Sequence, residues 1–253
     1  GYEMAYTNVL NMLDLAGLAV RAADRKETDP IIVAGGACAY NGEPLADFVD
    51  IFSIGEGEDV TVELIQLRRE SKRQGWSKAE FLRRAADIQG IYVPSLYQVD
   101  YAADGTISAI TPLNGVPEKV RKRIVADMDK SYFPVKTIVP STEIVHDRVM
   151  LELFRGCIRG CRFCQAGYIY RPVRKRSRDL LVQQGIDGCN DSGYQEMTLS
   201  SLSSSDYPDL VSLCDGLLDY CQPRNIGLSL PSLRADNFSM SIMERLQKVR
   251  RSG

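Results

Sequence analysis

Several features that identify common classes of protein are scarce in this sequence of 253 residues. His146 is the only histidine, so catalysis by a Ser-His pair or by a histidine acid and base lacks its usual residue. The formal net charge is −2, which gives no overall basic field for nucleic acid. No apolar run reaches the ~18 residues of a membrane-spanning helix, and the first residues lack the parts of a secretory signal. We therefore predict no membrane partner.

Cysteine, in contrast, is well represented. The sequence has seven cysteines, an odd number that includes one tight cluster. This usage fits metal ligation in a reducing compartment better than a disulfide framework, and it predicts a cytoplasmic location. Cys214 and Cys221 lie on the apolar face of a predicted helix, so we interpret them as core residues.

The cluster is Cys157-Ile158-Arg159-Gly160-Cys161-Arg162-Phe163-Cys164, which follows an apolar run at residues 149–154 that predicts a buried strand. A structural zinc site needs four ligands, yet the sequence has no second Cys-x2-Cys and no His-x3-His pair. Three thiolates suit a 4Fe-4S cluster whose fourth iron is open. An incomplete zinc site and plain buried cysteines remain alternatives.

This octet resembles the Cys-x3-Cys-x-aromatic-Cys signature of the radical S-adenosylmethionine (SAM) superfamily, with Phe163 as the aromatic residue. The resemblance implies a 4Fe-4S cluster held by Cys157, Cys161 and Cys164. It also implies that SAM chelates the fourth iron and is cleaved to a 5′-deoxyadenosyl radical, with a flavodoxin-type or ferredoxin-type protein as reductant. No protein side chain is then the catalyst, because the cofactor carries the chemistry.

The resemblance also indicates further residues that contact SAM. The superfamily often carries Gly-Gly-Glu after the second barrel strand, where this sequence has a serine-rich turn without glutamate, so we name Ser201 and Ser203 there. Arg234 follows the third strand and can pair with a carboxylate. A surface ion pair is an equal alternative for Arg234, and we add Phe163 to the predicted cofactor-binding residues.

The first 71 residues predict part of a doubly wound α/β domain. We expect a helix at residues 3–22, a strand at 31–34 buried on both faces, a brief helix at 44–49, a strand at 51–54 and a helix at 60–70. Glycines follow both strands and resemble the second half of a cobalamin-binding type of domain, which makes cobalamin an implied cofactor. The alternative is that these glycines serve turns and close packing.

Residues 72–146 predict a connecting region. Ser77 and Glu80 form a capping box for a short helix, and residues 97–110 predict a β-hairpin with an Asp-Gly turn. Prolines punctuate residues 112–146, where we expect the linker itself.

Residues 147–253 predict three βα units, with strands at 149–154, 196–199 and 226–230. We expect their helices to begin near Ser177, near Pro208 and at a capping box of Ser241 and Glu244. Three units cannot close a barrel. The resemblance to the radical SAM superfamily implies the first half of a partial (βα) radical SAM barrel, and we therefore expect a fragment of a longer protein. The predicted fold class is α/β, a Rossmann-like half-domain before this half-barrel, as in a bacterial family with a cobalamin-binding-type domain fused to a radical SAM domain.

Positive charge concentrates just after the cysteines, at Arg171, Arg174, Lys175, Arg176 and Arg178. It would attract a phosphate-bearing substrate such as RNA or a nucleotide, although a solvated loop is the simpler interpretation. The function predicted is that of a radical SAM enzyme with an unidentified substrate, acting by methylation or sulfur insertion. The alternatives are a non-catalytic iron-sulfur or zinc-stabilised binding module and an RNA-binding domain.

Overall fold

The computed structural model describes residues 2–234, 236 and 244–246. The chain forms two compact units that divide between Val125 and Ala126. Both units combine helices with parallel strands, so the predicted mixed α/β class is confirmed at this level. The Rossmann-like and half-barrel arrangements, and the domain boundaries at 71 and 146, stay predictions.

The first unit has three α-helices and five strands among its described residues. The helices are α1 (Tyr6–Leu15), α2 (Gly57–Gln74) and α3 (Lys78–Ala85). The strands are β1 (Val33–Gly35), β2 (Ile51–Ser53), β3 (Ile91–Tyr92), β4 (Tyr97–Tyr101) and β5 (Ile107–Pro112). The predicted brief helix at 44–49 is present as a 3-10 turn over Glu43–Leu45.

Helix α1 is shorter than the predicted helix at residues 3–22, because Gly17 ends it. Gly17 has φ +68°, its N–H donates to the Asp14 carbonyl at 2.9 Å, and the Leu18 N–H donates to the Leu13 carbonyl at 3.1 Å. These two bonds form a Schellman motif, which satisfies the last helical carbonyls and reverses the chain. The apolar spacing that continues beyond Leu15 therefore belongs to a loop.

The sheet of the first unit has the order β1-β2-β3. Strands β1 and β2 are parallel, with Val33 opposite Ile51, whereas β3 runs antiparallel to β2. Ile51 and Phe52 are buried, but Val33 is 47% exposed. The prediction that the first strand is buried on both faces is therefore wrong, since none of the residues Val33–Gly35 is buried.

A buried ion pair precedes β2. The Arg25 Nη2 donates to the Asp50 carboxylate at 3.1 Å, and the same carboxylate accepts from the Ile32 N–H at 2.8 Å and pairs with the Lys78 ammonium at 2.9 Å. The side chains of Arg25 and Asp50 are almost wholly removed from solvent. Since an unpaired buried charge is costly, these contacts fix the chain entering β2 to the start of α3.

The predicted capping residue and hairpin are confirmed. The Ser77 hydroxyl accepts from the Glu80 N–H at 3.2 Å and caps α3. Strands β4 and β5 pair antiparallel, with Val99 opposite Ile110.

Up to residue 234, the second unit has three α-helices and five strands. The strands are β6 (Val149–Glu152), β7 (Phe154–Arg155), β8 (Arg174–Lys175), β9 (Glu196–Ser200) and β10 (Gly227–Ser229). The helices are α4 (Ala166–Ile169), α5 (Arg178–Ser192) and α6 (Leu210–Cys221). A 3-10 turn, Ser204–Asp206, lies between β9 and α6.

Strands β6, β9 and β10 form a parallel sheet in the order β10-β9-β6. Successive strands are connected by α5 and then α6, so the predicted succession of βα units is present through the third strand. Leu151, Met197 and Leu199 are fully buried in one core with the apolar face of α6. Cys214 and Cys221 belong to this core, as predicted.

The end of α5 also agrees with the prediction, since Gly193 follows it with φ +72°. The predicted final capping box is only partly within the described residues, because Ser241 lies outside them, whereas Glu244 is described and is helical. Within the described residues, no helix combines the length and apolar character that a membrane crossing requires.

Candidate metal centre

The three cysteines lie on a loop that is closed at its base by two short strands. Strand β7 pairs antiparallel with β8, and this pairing sets Phe154 opposite Lys175 and Arg155 opposite Arg174. Residues 156–173 therefore leave and re-enter the unit at one point, close to the carboxyl end of β6. The sequence gives no signal for this pairing, because two-residue strands show no periodicity. We call residues 156–173 the cysteine loop.

Gly156 makes the narrow base of the cysteine loop possible. Its φ is +91°, and a Cβ at this position would lie 2.7 Å from the Tyr170 carbonyl oxygen and 2.8 Å from the Pro172 carbonyl oxygen. A side chain would therefore force the two ends of the loop apart.

The three thiols are half-buried and free of disulfides. The Cys164 N–H donates to the Cys161 carbonyl at 3.0 Å, and the Arg159 N–H donates to the Cys157 sulfur at 3.4 Å. Across the described residues, no three His, Cys, Asp or Glu side chains are arranged as a metal site. The three thiols are close in sequence, and their sulfur atoms must move closer together in space to bind one metal group.

The donor set nevertheless fits an iron-sulfur cluster. Three free thiols within one loop supply the soft ligands that iron prefers, and the loop has room to adjust, because a Cβ on Gly160 would meet no atom within 4 Å. Phe163 is 93% exposed, and its cofactor-binding role stays a prediction.

The serine-rich turn after β9 forms an internal hydrogen-bond network. The hydroxyls of Ser201 and Ser204 lie 2.9 Å apart, and the Ser203 hydroxyl donates to the Asp206 carboxylate at 2.8 Å. Ser203 and Ser204 are buried. The predicted site residues Ser201 and Ser203 therefore organise this turn and hold Asp206.

Asp206 also binds the cysteine loop, a connection that sequence reasoning missed. The Arg159 Nε donates to Asp206 Oδ2 at 3.0 Å, and Nη2 donates to Oδ1. This bidentate pair, together with the Ser203 hydroxyl, lowers the pKa of Asp206 to about 2. The carboxylate is consequently ionised at neutral pH and joins the loop after β6 to the loop after β9.

A pocket adjoins Cys157 at this point. Its empty volume, including the part open to solvent, is about 420 Å³. Its walls are mostly apolar. The lining residues are Phe154, Cys157, Ile158, Val173, Lys175, Ser203, Asp206 and Pro208. Such a pocket suits a small ligand with an apolar body.

Arg234 is engaged by a neighbouring acid. Its Nε and Nη2 donate to the two oxygens of Asp236 at 2.9 and 2.7 Å, and its N–H donates to the Ser205 hydroxyl at 3.3 Å. The structure thus has the ion pair that we named as the alternative to a ligand contact, and it keeps Arg234 beside the serine-rich turn.

The basic residues after the cysteines have partners within the protein. Arg176 is buried and its Nη1 donates to the Met128 carbonyl at 2.5 Å. The others bind loop carbonyls or nearby acids: Arg171 to Cys157 at 3.3 Å, Arg174 to Pro172 at 3.0 Å, Lys175 to Asp209 at 3.7 Å and Arg178 to Asp179 at 2.7 Å. A phosphate-bearing substrate for this region stays a prediction.

In the first unit, the predicted glycine-rich strand end is filled by the protein's own backbone. Gly55 forms a parallel bridge with Arg123, and a Cβ on Gly55 would lie 2.6 Å from the Arg123 nitrogen. The Arg123 guanidinium forms a salt bridge with the Glu63 carboxylate at 2.5 Å. Gly55 therefore serves close packing, and cobalamin stays a prediction.

Comparison with known proteins bears on the first unit. Residues 1–94 match the family described as radical SAM proteins, N-terminal. This match supports the radical SAM superfamily. The matched residues lie within the first unit and do not include the cysteine loop, so the two signals for the superfamily come from different parts of the chain.

A relative from Methanocaldococcus jannaschii is similar along almost the whole chain. It is described as uncharacterized protein MJ0966 and is 29% identical over 252 residues, which cover 97% of this chain. The chain spans about half the length of this relative, 46%. The similarity therefore extends through both units, and its printed description assigns no function.

Proposed function

We propose that this chain carries the cluster-binding part of a radical SAM enzyme, in which Cys157, Cys161 and Cys164 hold a 4Fe-4S cluster that cleaves SAM. The observation that carries the proposal is the position of the cysteine loop at the carboxyl end of the first strand of a parallel βα sheet. The match of residues 1–94 to the N-terminal region of radical SAM proteins supports it independently.

The location of the loop fits a ligand site. In parallel α/β folds, ligands bind at the carboxyl ends of the strands, where the loops of successive units meet. Here β6 leads to the cysteine loop, β9 to the serine-rich turn and β10 to Arg234. The bonds from Arg159 to Asp206 and from Arg234 to Ser205 link these three loops directly.

The protein's own residues would bind, orient and shield the cofactors. When bound, the cluster would pass one electron from a flavodoxin-type or ferredoxin-type reductant to SAM, which splits into methionine and a 5′-deoxyadenosyl radical. The pocket beside Cys157 offers mostly apolar walls, and Asp206, which is bound by Arg159, holds the cysteine loop next to it. The carboxyl edge of the parallel sheet also carries Ser201, Ser203 and Arg234. The exposed side chain of Phe163 is available for contact with a bound ligand.

The reaction that follows SAM cleavage is the less specific part of the proposal. Methylation and sulfur insertion both begin with such a radical. The candidate substrates include RNA and nucleotides, and the pocket beside Cys157 does not distinguish between them. The non-catalytic alternatives, an iron-sulfur or zinc-stabilised binding module, use the same three thiols, so the experiment must separate cluster chemistry from metal binding.

Anaerobic reconstitution with iron and sulfide, followed by reduction with dithionite in the presence of SAM, tests the proposal. We expect 5′-deoxyadenosine and methionine in equal amounts, measured by chromatography, in the full-length protein. Cys214→Ala is the matched control, since it removes a core thiol and should leave the products unchanged. A protein that binds metal but forms no 5′-deoxyadenosine would contradict the enzymatic proposal and favour a binding module.

A further inference from the structure

Arg159 lies between the first two cysteines of the motif and reaches out of the cysteine loop. Its guanidinium makes two parallel contacts with Asp206, one of them at 3.0 Å between Nε and Oδ2. A bidentate arginine-carboxylate pair fixes orientation as well as distance, which a lysine cannot do. The pair thus sets the position of the first half of the loop.

The Asp206 end of this pair is firmly anchored. Its side chain is 10% exposed and accepts the Ser203 hydroxyl at 2.8 Å, while its N–H donates to the Ser203 carbonyl at 2.9 Å. Ser204 is fully buried, and its N–H donates to the Ser232 carbonyl at 3.1 Å. Asp206 is therefore a rigid point at the sheet edge, against which the loop can be held.

The Arg159 end acts directly on a cysteine. The same residue that binds Asp206 through its side chain donates its N–H to the Cys157 sulfur at 3.4 Å. The neighbouring side chain of Ile158 and that of Phe163 are exposed, so apolar packing does not hold this part of the loop. Arg171 adds a second contact, to the carbonyls of Cys157 and Ile158 at 3.3 and 3.4 Å. Polar contacts thus hold the loop at Cys157.

We propose that the Arg159–Asp206 pair is a latch that positions Cys157 before any metal binds and keeps the Arg159 N–H aimed at its sulfur. Arg159 and Asp206 are positioning residues and do not touch the reacting atoms. This inference rests on the proposed function in one respect, namely that Cys157 is a cluster ligand. Hydrogen bonds to cluster sulfurs raise the reduction potential, so opening the latch should lower it.

The test compares two thiols of the same loop in metal-free protein. The full chain is purified without metal and pulsed with N-ethylmaleimide, and mass spectrometry gives the labelling rate of Cys157 relative to Cys164. In Asp206→Asn we expect this ratio to rise about tenfold, the scale of one charge-assisted hydrogen bond. Arg159→Lys should raise it less, because a single contact can remain.

Arg162→Ala is the matched control. It removes one positive charge from the same loop, and within the described part of the chain Arg162 is an exposed side chain for which the structure gives no polar contact, so the ratio should stay at the wild-type value. Cys214 and Cys221 are buried and report unfolding if they become labelled. Should Asp206→Asn expose them, Ser203→Ala, which removes only a supporting bond, must still raise the ratio.

An unchanged ratio in folded Asp206→Asn and Arg159→Lys overturns the latch, even if the wild-type protein binds a cluster. A raised ratio together with a cluster of lower reduction potential in Arg159→Lys supports it. If the ratio rises but wild-type protein holds no cluster after reconstitution, the proposed function fails, and the latch loses its role toward a metal while its ordering of the loop stands.

Discussion

The loops after β2 in the first unit and after β7 in the second both have a glycine at positive φ close to the strand end, Gly55 and Gly156, yet they differ in what surrounds it. At Gly55 the Arg123 backbone occupies the space next to the strand end. At Gly156 the ends of the cysteine loop close against each other, and Phe163 between them is largely exposed.

This difference shows what a glycine after a strand can indicate. In both loops it permits close approach of backbone, and neither glycine by itself marks a ligand site. The residues that follow distinguish a structural loop from a candidate ligand site. Glu56 accepts a hydrogen bond from the Val125 N–H within the first unit, whereas the loop after Gly156 carries three free thiols. The predictions below test this contrast.

The largest effect is expected from removing the thiols. Replacing Cys157, Cys161 and Cys164 together by alanine should abolish cluster binding, while the free energy of unfolding of metal-free protein changes by less than about 1 kcal/mol, because these side chains are only half-buried. Iron analysis and chemical denaturation measure the two effects.

The control for the triple variant is another cysteine. Cys214→Ala should cost about 1–3 kcal/mol by leaving a cavity in a fully packed core, and it should retain the cluster. If the triple variant unfolds more readily than Cys214→Ala, the cysteine loop is part of the core and the contrast drawn here is wrong.

Next in size is a substitution at the strand end of the first unit. Gly55→Ala forces a Cβ against the Arg123 backbone at φ +115°, so we expect a loss of about 3–5 kcal/mol in the free energy of unfolding. Gly160→Ala, where a Cβ meets no atom within 4 Å, should cost less than about 1 kcal/mol. Equal costs at the two positions, measured by urea denaturation, would refute the packing role of Gly55.

A smaller effect is expected at alkaline pH. Burial raises the pKa of Cys214 to about 12, from 9.0 in an exposed thiol. The unfolded chain therefore ionises at this residue while the folded protein keeps its proton, and stability falls as pH rises above 9, by about 1 kcal/mol between pH 9 and 10. Cys214→Ala should reduce this loss by that amount. An identical pH dependence in both proteins would contradict the assignment.

The smallest effect is expected from the basic residues. Arg171, Arg174 and Lys175 bind loop carbonyls or Asp209, so replacing Arg174 and Lys175 by glutamine should change affinity for single-stranded RNA less than about twofold at physiological salt. Fluorescence anisotropy with labelled RNA measures this. A steep salt-dependent affinity that the two substitutions abolish, but that survives loss of the three cysteines, would revive the RNA-binding alternative.

Patterns that depend on neighbours in the sequence were predicted well. The apolar face of α6, the Ser77 cap and the β4-β5 hairpin each follow from residues a few positions apart, and all are present. The helix predicted at residues 3–22 is too long, because apolar residues continue at helical spacing beyond Gly17. The left-handed conformation of Gly17 ends α1 despite this spacing.

Features that depend on distant partners were missed. Strands β7 and β8 are too short for any periodicity, and their pairing closes the loop only in three dimensions. Asp206 lies in a serine-rich turn that matches no motif, and its role depends on the hydrogen bonds that it accepts from Arg159 in another loop. Similarly, the reason for Gly55 is Arg123, far along the chain. The sequence motif thus predicts the ligands of the proposed site but does not indicate the residues that hold the cysteine loop.

The most direct measurement is Mössbauer and electron paramagnetic resonance spectroscopy of the reconstituted full-length protein with and without SAM. The account predicts one 4Fe-4S cluster per chain in which a single iron changes its signal when SAM is added. A single tetrahedral zinc in place of iron, or a cluster whose four irons are all bound by protein and are insensitive to SAM, would contradict it.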